Sequence, residues 1–269
     1  MRYGLFSDVH ANLSALQASL ELLRRAEVDA YMCAGDVVGY GPHPNECVDL
    51  IAGLPGVCVA GNHDLIALDR LSSDGIGDLA RLTLDWTRSA LTSDSRAWLE
   101  GLQRTVASGP IVVAHGSLDD PRRYVRTDRL ASDELAGLVT RSPGARVLVL
   151  GHTHRSLAFG EESGRVLDGV AGSVGLGRVE RWLVNPGAVG QSRDRSLRAR
   201  VAVLDLTAGR VTFHSLPYDV DATLRALRRA GLPPAAVRLP SGRRGVRSAL
   251  RRVFSARVSR RREQRGRTG

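Results

Sequence analysis

Short apolar runs, each closed by a cluster of polar residues, set the pattern of the first third of the chain. Residues 3–7 form an apolar run of strand length that ends in Asp8-Val9-His10. Beyond it Leu13, Leu16, Leu20 and Leu23 recur at helical spacing, and Asn12 stands where it can cap the helix they predict. A second strand is predicted over 30–34, ending in Gly35-Asp36, and then a helix around 45–52. A third strand, 57–60, ends in Gly61-Asn62-His63-Asp64. This β-α-β-α-β order predicts parallel strands covered by helices. Each strand hands over to its polar cluster at its C-terminal end, where open α/β sheets place ligands.

The pattern then changes. Residues 76–102 read as helices, with Trp86 and Trp98 at amphipathic positions expected in the core. Two further strands, Ile111–Ala114 and 146–150, end at His115 and at Gly151-His152-Thr153-His154. Apolar runs at 156–159, 165–167, 182–184, 201–206 and 210–215, separated by Gly-rich turns, predict antiparallel strands. The Gly-rich stretch 161–178 is expected to be a flexible excursion that could serve as a lid, and 219–230 a short helix. No internal repeat is present. Both sets of strands are expected to share one core in a single domain over 1–239.

With 269 residues, 43% hydrophobic and 25% charged, the chain can bury a sizeable core in a soluble globular body. No apolar run approaches the roughly 20 residues of a membrane-spanning helix. The first residues turn polar too soon for a secretory leader, so a cytoplasmic protein with nothing cleavable ahead of the fold is expected. Cys33, Cys47 and Cys58 form an odd set without Cys-x-x-Cys spacing; three reduced thiols are expected, with neither a disulfide nor a thiolate metal site. The net charge of +10 matters less than its location. Twelve Arg against one acid, Glu263, give residues 238–269 a charge of +11 and leave −1 for the rest. The basic character belongs to an Arg-rich tail, 240–269, and the body is nearly neutral.

The candidate chemistry lies in the polar clusters. Of seven His, five (His10, His63, His115, His152 and His154) stand directly after predicted strands, and only His43 and His214 lie elsewhere. Asp8, Asp36, Asn62 and Asp64 accompany them. A single strand-end His is ordinarily bonded to a nearby loop, but five clusters at five strand ends point to one centre. Asp offers anionic oxygens that can bridge two cations, Asn a neutral oxygen, and imidazole a nitrogen. Such mixed sets suit Mn²⁺, Fe²⁺, Co²⁺, Ni²⁺ or Zn²⁺. His152 and His154 are two apart, as are Asp8 and His10, so a regular strand would point each pair to opposite faces. In a turn, both members can reach one centre.

Asp8-x-His10, Gly35-Asp36, Gly61-Asn62-His63-Asp64, His115-Gly116 and Gly151-His152-x-His154 follow in the order and approximate spacing of the calcineurin-like metallophosphoesterase signature. The chain resembles that superfamily from residue 1 to about 235. Asn185-Pro186-Gly187-Ala188-Val189-Gly190-Gln191 is similar to the Asn-Pro-Gly-Ser-Val-Gly segment of its compact bacterial, phosphodiesterase-like members. The resemblance implies an α/β fold, an α+β sandwich of two mixed β-sheets packed face to face. Helices would cover the outer faces, with a metal site at the strand C-terminal ends. It implies that Asp8, His10, Asp36 and His154 hold one divalent metal, with Mn or Fe favoured. Asp36, as the bridge, would join Asn62, His115 and His152 on a second. Two cations roughly 3.5–4 Å apart can clamp a phosphoryl group. A bridging hydroxide would attack phosphorus in line, because the metals' charge lowers the pKa of the water. His63, poised by Asp64, is the candidate general acid; alternatively it positions a phosphate oxygen.

The protein-phosphatase branch reads Gly-Asp-x-Val-Asp-Arg-Gly at the bridging Asp, whereas this chain reads Gly35-Asp36-Val37-Val38-Gly39-Tyr40-Gly41. The phosphate-gripping Arg is missing, and Asp64 stands where that branch favours Glu. Both departures favour hydrolysis of phosphodiesters or small, possibly nucleotide-derived, phosphomonoesters over phosphoprotein. An Arg from the loop 121–129 could restore the grip. The Asn185-Pro186-Gly187 turn reads equally as a substrate wall beside the metals or as a plain hairpin connection. In the tail, Val246, Leu250, Val253 and Phe254 fall near helical spacing among Arg residues. That fits a basic amphipathic helix touching nucleic acid, an anionic membrane surface or an acidic partner, or else a solvated extension. A nucleic-acid-binding or scaffold protein on a phosphoesterase fold is the alternative function.

Overall fold

The computed structural model describes residues 1–238 except 170, 178, 194 and 195. The Arg-rich tail, 240–269, and the helix considered for it lie outside the described residues. In chain order, β1 (Arg2–Phe6), α1 (Leu13–Arg25), β2 (Ala30–Cys33), α2 (Pro44–Ala52), β3 (Gly56–Cys58) and α3 (Asn62–Ala67) form the first third. Next come α4 (Asp78–Ala90), α5 (Ser93–Glu100), β4 (Thr105–Ser108), β5 (Ile111–Ala114), α6 (Asp128–Arg141) and β6 (Val147–Val149). The remainder is β7 (Ser156–Gly160), β8 (Gly164–Gly169), β9 (Gly172–Gly175), β10 (Trp182–Pro186), β11 (Ala199–Asp205), β12 (Arg210–Leu216) and α7 (Val220–Arg229).

These strands make two six-stranded mixed sheets, ordered β3-β2-β1-β11-β12-β9 and β4-β5-β6-β10-β7-β8. In the first, β1, β2 and β3 are parallel, and β11, β12 and β9 extend the sheet antiparallel. In the second, β5, β6 and β10 are parallel, flanked by antiparallel β4, β7 and β8. The five strand ends marked by polar clusters are therefore divided, three in one sheet and two in the other.

Strand alternation explains the layering. Tyr3 and Leu5 of β1 point into a core shared with Val113, Val149, Trp182 and Val184 of the other sheet. Phe6 points the opposite way, against Leu16, Leu20 and Leu23 of α1. Asn12 caps that helix, its side chain accepting from Ala15 N–H. On the far side, Leu135 and Leu138 of α6 cover Val112, Leu148 and Leu183. Each such leucine contributes about 1.5–3 kcal/mol by burial. Trp86 and Trp98 are half-buried against core clusters, as the helical pattern predicts.

The strand expected at 165–167 is present as the centre of β8, whereas the flexible excursion expected over 161–178 is not. That stretch contains β8, paired along β7, and β9, paired along β12, so it supplies an edge strand to each sheet and no free lid. Backbone ladders with their partners outweigh the conformational freedom of its glycines. The three cysteines are free thiols. Among the described residues no helix is long and apolar enough to cross a membrane.

Candidate metal centre

The strand ends meet where the two sheets adjoin, and the backbone there breaks with strand geometry. Asp8, His10, Asp36, His152 and His154 all have positive φ, at 54°, 49°, 54°, 63° and 61°. Left-handed backbone at a non-glycine residue costs on the order of 1–3 kcal/mol. It also turns both members of each two-apart pair toward one point, which a strand would forbid. Hydrogen bonds between loops hold these turns: Asp8 N–H to Gly35 O at 2.9 Å, His10 N–H to Asp36 O at 2.9 Å, and Gly151 N–H to His115 O at 2.8 Å.

All seven expected ligands come together, and all are buried. Asp8 Oδ1 lies 3.2 Å from His154 Nε2 and 3.9 Å from His10 Nε2. Asp36 Oδ2 lies 3.3 Å from His115 Nε2 and 3.7 Å from His10 Nε2, between the two groups. Asn62 Oδ1 faces His115 Nε2 at 3.1 Å. Potential ligand atoms within 4.8 Å of one another form three sets: Asp8, His10 and His154; Asp36, His115 and His152; and His10, Asp36 and His63.

Carbonyl oxygens fix the imidazole tautomers. His10 Nδ1 lies 3.3 Å from Val38 O, and His154 Nδ1 lies 2.7 Å from Gln191 O, so each carries its proton there. Their Nε2 atoms, 3.2 Å apart, then face each other and Asp8 with lone pairs. Asp8 Oδ1 is buried without a hydrogen-bond partner among the described residues. Lone pair against lone pair in a dry site is repulsive unless a cation lies between, so this donor set fits divalent metal. His152 uses Nε2 on Arg122 O at 3.0 Å, which leaves Nδ1 for the centre.

Burial pushes the Asp8 carboxyl up, but His154 and His115 outweigh it and hold Asp8 below the usual carboxylate range. Burial likewise opposes ionisation of Asp36, and His115 and His63 outweigh it. His115 shows the converse: burial pushes it down, but Asp36 raises it to about 9. Burial, with His115 next, pushes His152 down to about 3. His10 is held well below its ordinary value by burial and His63, and His154 is lowered by burial and Arg193.

The expected partnership of His63 with Asp64 is absent. Asp64 accepts the backbone N–H groups of Val38 at 3.0 Å and Gly61 at 2.9 Å, so it braces two loops from the start of α3. His63 sits in the first turn of the same helix, where adjacent side chains diverge. Its Nδ1 has no hydrogen-bond partner among the described residues. Burial pushes His63 down to about 4, with Asp36 opposing. Its ring packs against His10 at 4.8 Å and Tyr40 at 4.7 Å, so an aromatic ring stands where the phosphatase branch carries Arg.

A cation does reach the centre, from a segment not expected to supply it. Arg193 donates to Tyr124 Oη at 3.1 Å and His152 O at 3.4 Å, and its charge bears on His63, His152 and His154. The loop 121–129 instead supplies Tyr124, stacked on His152 at 3.9 Å, and Arg126, 4.1 Å from the Tyr124 ring centroid. Arg193 follows the Asn185-Pro186-Gly187 turn, which is no hairpin, because it carries the chain from one sheet to the other. Asn185 donates to Gly151 O at 2.6 Å, while Val189 and Gly190 donate to Ser7 and Asp8 carbonyls at 3.0 and 2.9 Å. A segment so tied to the Asp8 and His152 loops delivers its next residues to the centre; that proximity to Gly190 was the available signal for Arg193.

Comparison with known proteins agrees with this arrangement. Residues 1–209 match the family model of the calcineurin-like phosphoesterase superfamily domain. An uncharacterized protein of Methanocaldococcus jannaschii is 27% identical over 234 residues, covering 86% of this chain and 93% of its own. The crystal structure of a metallophosphoesterase from Sphaerobacter thermophilus superposes with a TM-score of 0.76 at 35% identity, covering 88% of this chain and 97% of that one. A hypothetical protein of Pyrococcus horikoshii shares the fold at 18% identity, with a TM-score of 0.71 over 88% of this chain and 96% of its own. With its family model, its fold and its strand-end donor set in agreement, the chain belongs to the calcineurin-like phosphoesterase superfamily.

Proposed function

We propose that the protein is a phosphoester hydrolase using two divalent cations, with diesters or small monoesters as substrates. Asp8, His10, Asp36 and His154 would hold one cation, and Asp36, Asn62, His115 and His152 the other. Mn²⁺ or Fe²⁺ suits this mixed oxygen and nitrogen set. Bound there, the cations would activate a water molecule and neutralise the oxygens of the transferred phosphoryl group. The observation that carries this reading is the convergence of imidazole lone pairs on the buried Asp8 Oδ1, which has no hydrogen-bond partner among the described residues.

Around that centre the chain's own residues bind and move protons. Arg193 would hold a non-bridging phosphoryl oxygen in place of the Arg absent at Tyr40. Its different origin, and the aromatic ring at Tyr40, favour diesters and small esters over phosphoprotein. His63 would give its proton to the leaving oxygen. Burial keeps the ring neutral at pH 7, and an anionic phosphoryl group beside it would raise its pKa, so protonation would accompany substrate entry. Asp64 would hold the loops in register without touching substrate.

The test is hydrolysis of an aryl phosphodiester and its monoester by metal-stripped protein resupplied with Mn²⁺. Turnover that requires metal and vanishes in Asp36→Ala is expected, with a loss on the order of 10²-fold or more in His63→Ala. Bound metal without turnover of either ester would refute the reading.

A further inference from the structure

We infer that Cys33 and Cys58 form an oxidation site, where a small hydroperoxide entering the cavity beside them joins the two thiols in a disulfide and displaces the loops carrying Asp36 and Asn62. The oxidation rests on the thiols alone, and its effect on the centre rests on the metal reading above.

Strand register makes the thiols a pair. β2 and β3 are parallel, and Cys33 stands directly opposite Cys58. Both side chains therefore leave the same face of the sheet, the one packed against Ile51 of α2 and Trp98 of α5. The two free thiols are hydrogen-bonded to each other. Neighbouring strands run about 4.7–4.9 Å apart, inside the Cα separation of about 4.4–6.8 Å that a disulfide spans.

The pair is also accessible. A cavity of about 180 Å³ is lined by both cysteines together with Phe6, Tyr31, Ile51 and Trp98. One water needs only about 10–15 Å³, so hydrogen peroxide enters with room to spare. The largely apolar wall admits a neutral hydroperoxide and disfavours a charged oxidant. β3 is the last strand of its sheet, Gly56 on it is exposed and Cys58 is half-buried, so the oxidant arrives from that edge and meets Cys58 first. Cys33 lies behind it, buried. Cys47, fully buried on α2, does not line the cavity.

The Cys58 thiolate attacks one peroxide oxygen, the O–O bond breaks, and the departing hydroxide takes up the thiol's proton as water. Cys33 sulfur then attacks the resulting sulfenic acid, the S–O bond breaks, and a second water leaves with the Cys33 proton. The two sulfurs together lose two electrons, and one peroxide becomes two waters. The hydrogen bond with Cys33, and then burial, hold the Cys58 thiol well above its ordinary value. Little thiolate is present at neutral pH, so the site responds to sustained oxidant and is otherwise reduced.

A disulfide draws its Cβ atoms to about 3.8 Å, closer than the strand spacing, so it pulls β3 toward β2. The chains have no slack beyond the thiols. Val59 N–H donates to Cys33 O at 3.1 Å. A Cβ on Gly35 would lie 2.6 Å from Gly61 N, so the two strand ends already touch. Ala34 O, next to Cys33, holds His115 Nδ1 at 2.6 Å. Movement at the thiols therefore passes to Asp36, Asn62 and His115.

The test treats metal-free protein with hydrogen peroxide, alkylates it in denaturant and cleaves it at acidic residues. All three cysteines fall within one tryptic peptide, 26–70, whereas cuts at Glu46 and Asp49 separate them. Mass spectrometry should find Cys33 joined to Cys58 and Cys47 alkylated, with all three thiols restored by dithiothreitol. Cys33 and Cys58 still alkylated after prolonged exposure, or a linkage through Cys47, would overturn the site. Calorimetry with Mn²⁺, once peroxide is removed, should show affinity at least tenfold weaker in the oxidised protein and recovered on reduction. C58A treated in the same way should bind as it did untreated, which separates the disulfide from oxidation of Met32. Equal affinity before and after disulfide formation would overturn the coupling to the centre. Absence of Mn²⁺ binding by the reduced protein would sink the metal reading, while the linked peptides would still uphold the oxidation site.

Discussion

Gly61→Ala tests the placement of Asp36 without removing any side chain from the centre. Gly61 has φ −86° and ψ 176°, which alanine adopts freely, so the backbone itself resists nothing. The added methyl meets Asp36. A Cβ there would overlap both Asp36 Oδ1 and Asp36 N, and would lie 2.8 Å from Asp36 Cγ. Relief requires the carboxylate and its loop to retreat by roughly 1 Å to reach ordinary van der Waals separation. The movement strains the bond from His63 N–H to Asp36 Oδ1, now 2.7 Å. Bonds to a charged acceptor are worth about 1.5–3 kcal/mol, and overpacking adds about 1–3 kcal/mol. A total near 3–5 kcal/mol lowers the melting temperature by about 10 °C in a domain of this size. Misplacement by about 1 Å costs on the order of 10²-fold in turnover. Calorimetry and metal analysis after dialysis give the readout, with Gly75→Ala as the contrast. Gly75 has φ +76° and open space around it, so alanine there meets backbone strain of about 1 kcal/mol and no clash. Wild-type metal content and turnover in Gly61→Ala would refute the argument that Asp36 is held as a fixed bridge.

Four further outcomes are expected. Asp64→Ala leaves the buried N–H groups of Val38 and Gly61 without their acceptor. It should therefore lower the melting temperature, whereas His63→Ala should reduce turnover with little change in stability; the reverse pattern would restore a catalytic Asp64. A divalent cation must displace the proton of His115, which Asp36 holds up to about 9. Apparent Mn²⁺ affinity should then fall by up to about tenfold per unit as pH drops below that value, and equal affinity at pH 6.5 and 8.0 would contradict it. The sign for stability is opposite. In metal-free protein the raised His115 stabilises fully below its ordinary value of 6.5 and loses that contribution as pH rises through about 9, which thermal melts at several pH values would follow. Chelation should leave the far-ultraviolet spectrum unchanged and lower the melting temperature, because the cores on both sides of each sheet form without metal; unfolding on chelation would contradict this.

The candidate ligands were legible because each follows an apolar strand, and a strand end is visible as a change from apolar to polar. Asp8, Asp36, His115 and His152 needed no knowledge of pairing between distant strands. The partner of Asp64 was not legible, since it binds backbone N–H groups that every residue but proline carries. Arg193 lacked a periodic setting: it stands in a loop, and only the three-dimensional path of the Asn185-Pro186-Gly187 segment brings it to His152. Helix α6 carried Thr127 as a cap, with Leu135 and Leu138 on one face, but polar Ser132 and Asp133 weaken its pattern. Strand β9 was obscured by glycine, and so were the ends of β8, whose centre was legible at 165–167. Gly164, Gly169, Gly172 and Gly175 read as flexibility in isolation and become strand termini once β7 and β12 offer partners.

The departures from local rules gather in one place, and that coincidence is itself a physical argument. Nine non-glycine residues have positive φ among the described residues, and six of them, Asp8, His10, Asp36, Tyr40, His152 and His154, surround the centre. The same volume holds Asp8 Oδ1 and His63 Nδ1, neither with a hydrogen-bond partner among the described residues. Each feature is unfavourable alone and is sustained only because two packed sheets and their loop-to-loop hydrogen bonds hold it. Strain spread over the surface would be incidental. Strain gathered around convergent lone pairs identifies what would relieve it: cations between the imidazoles.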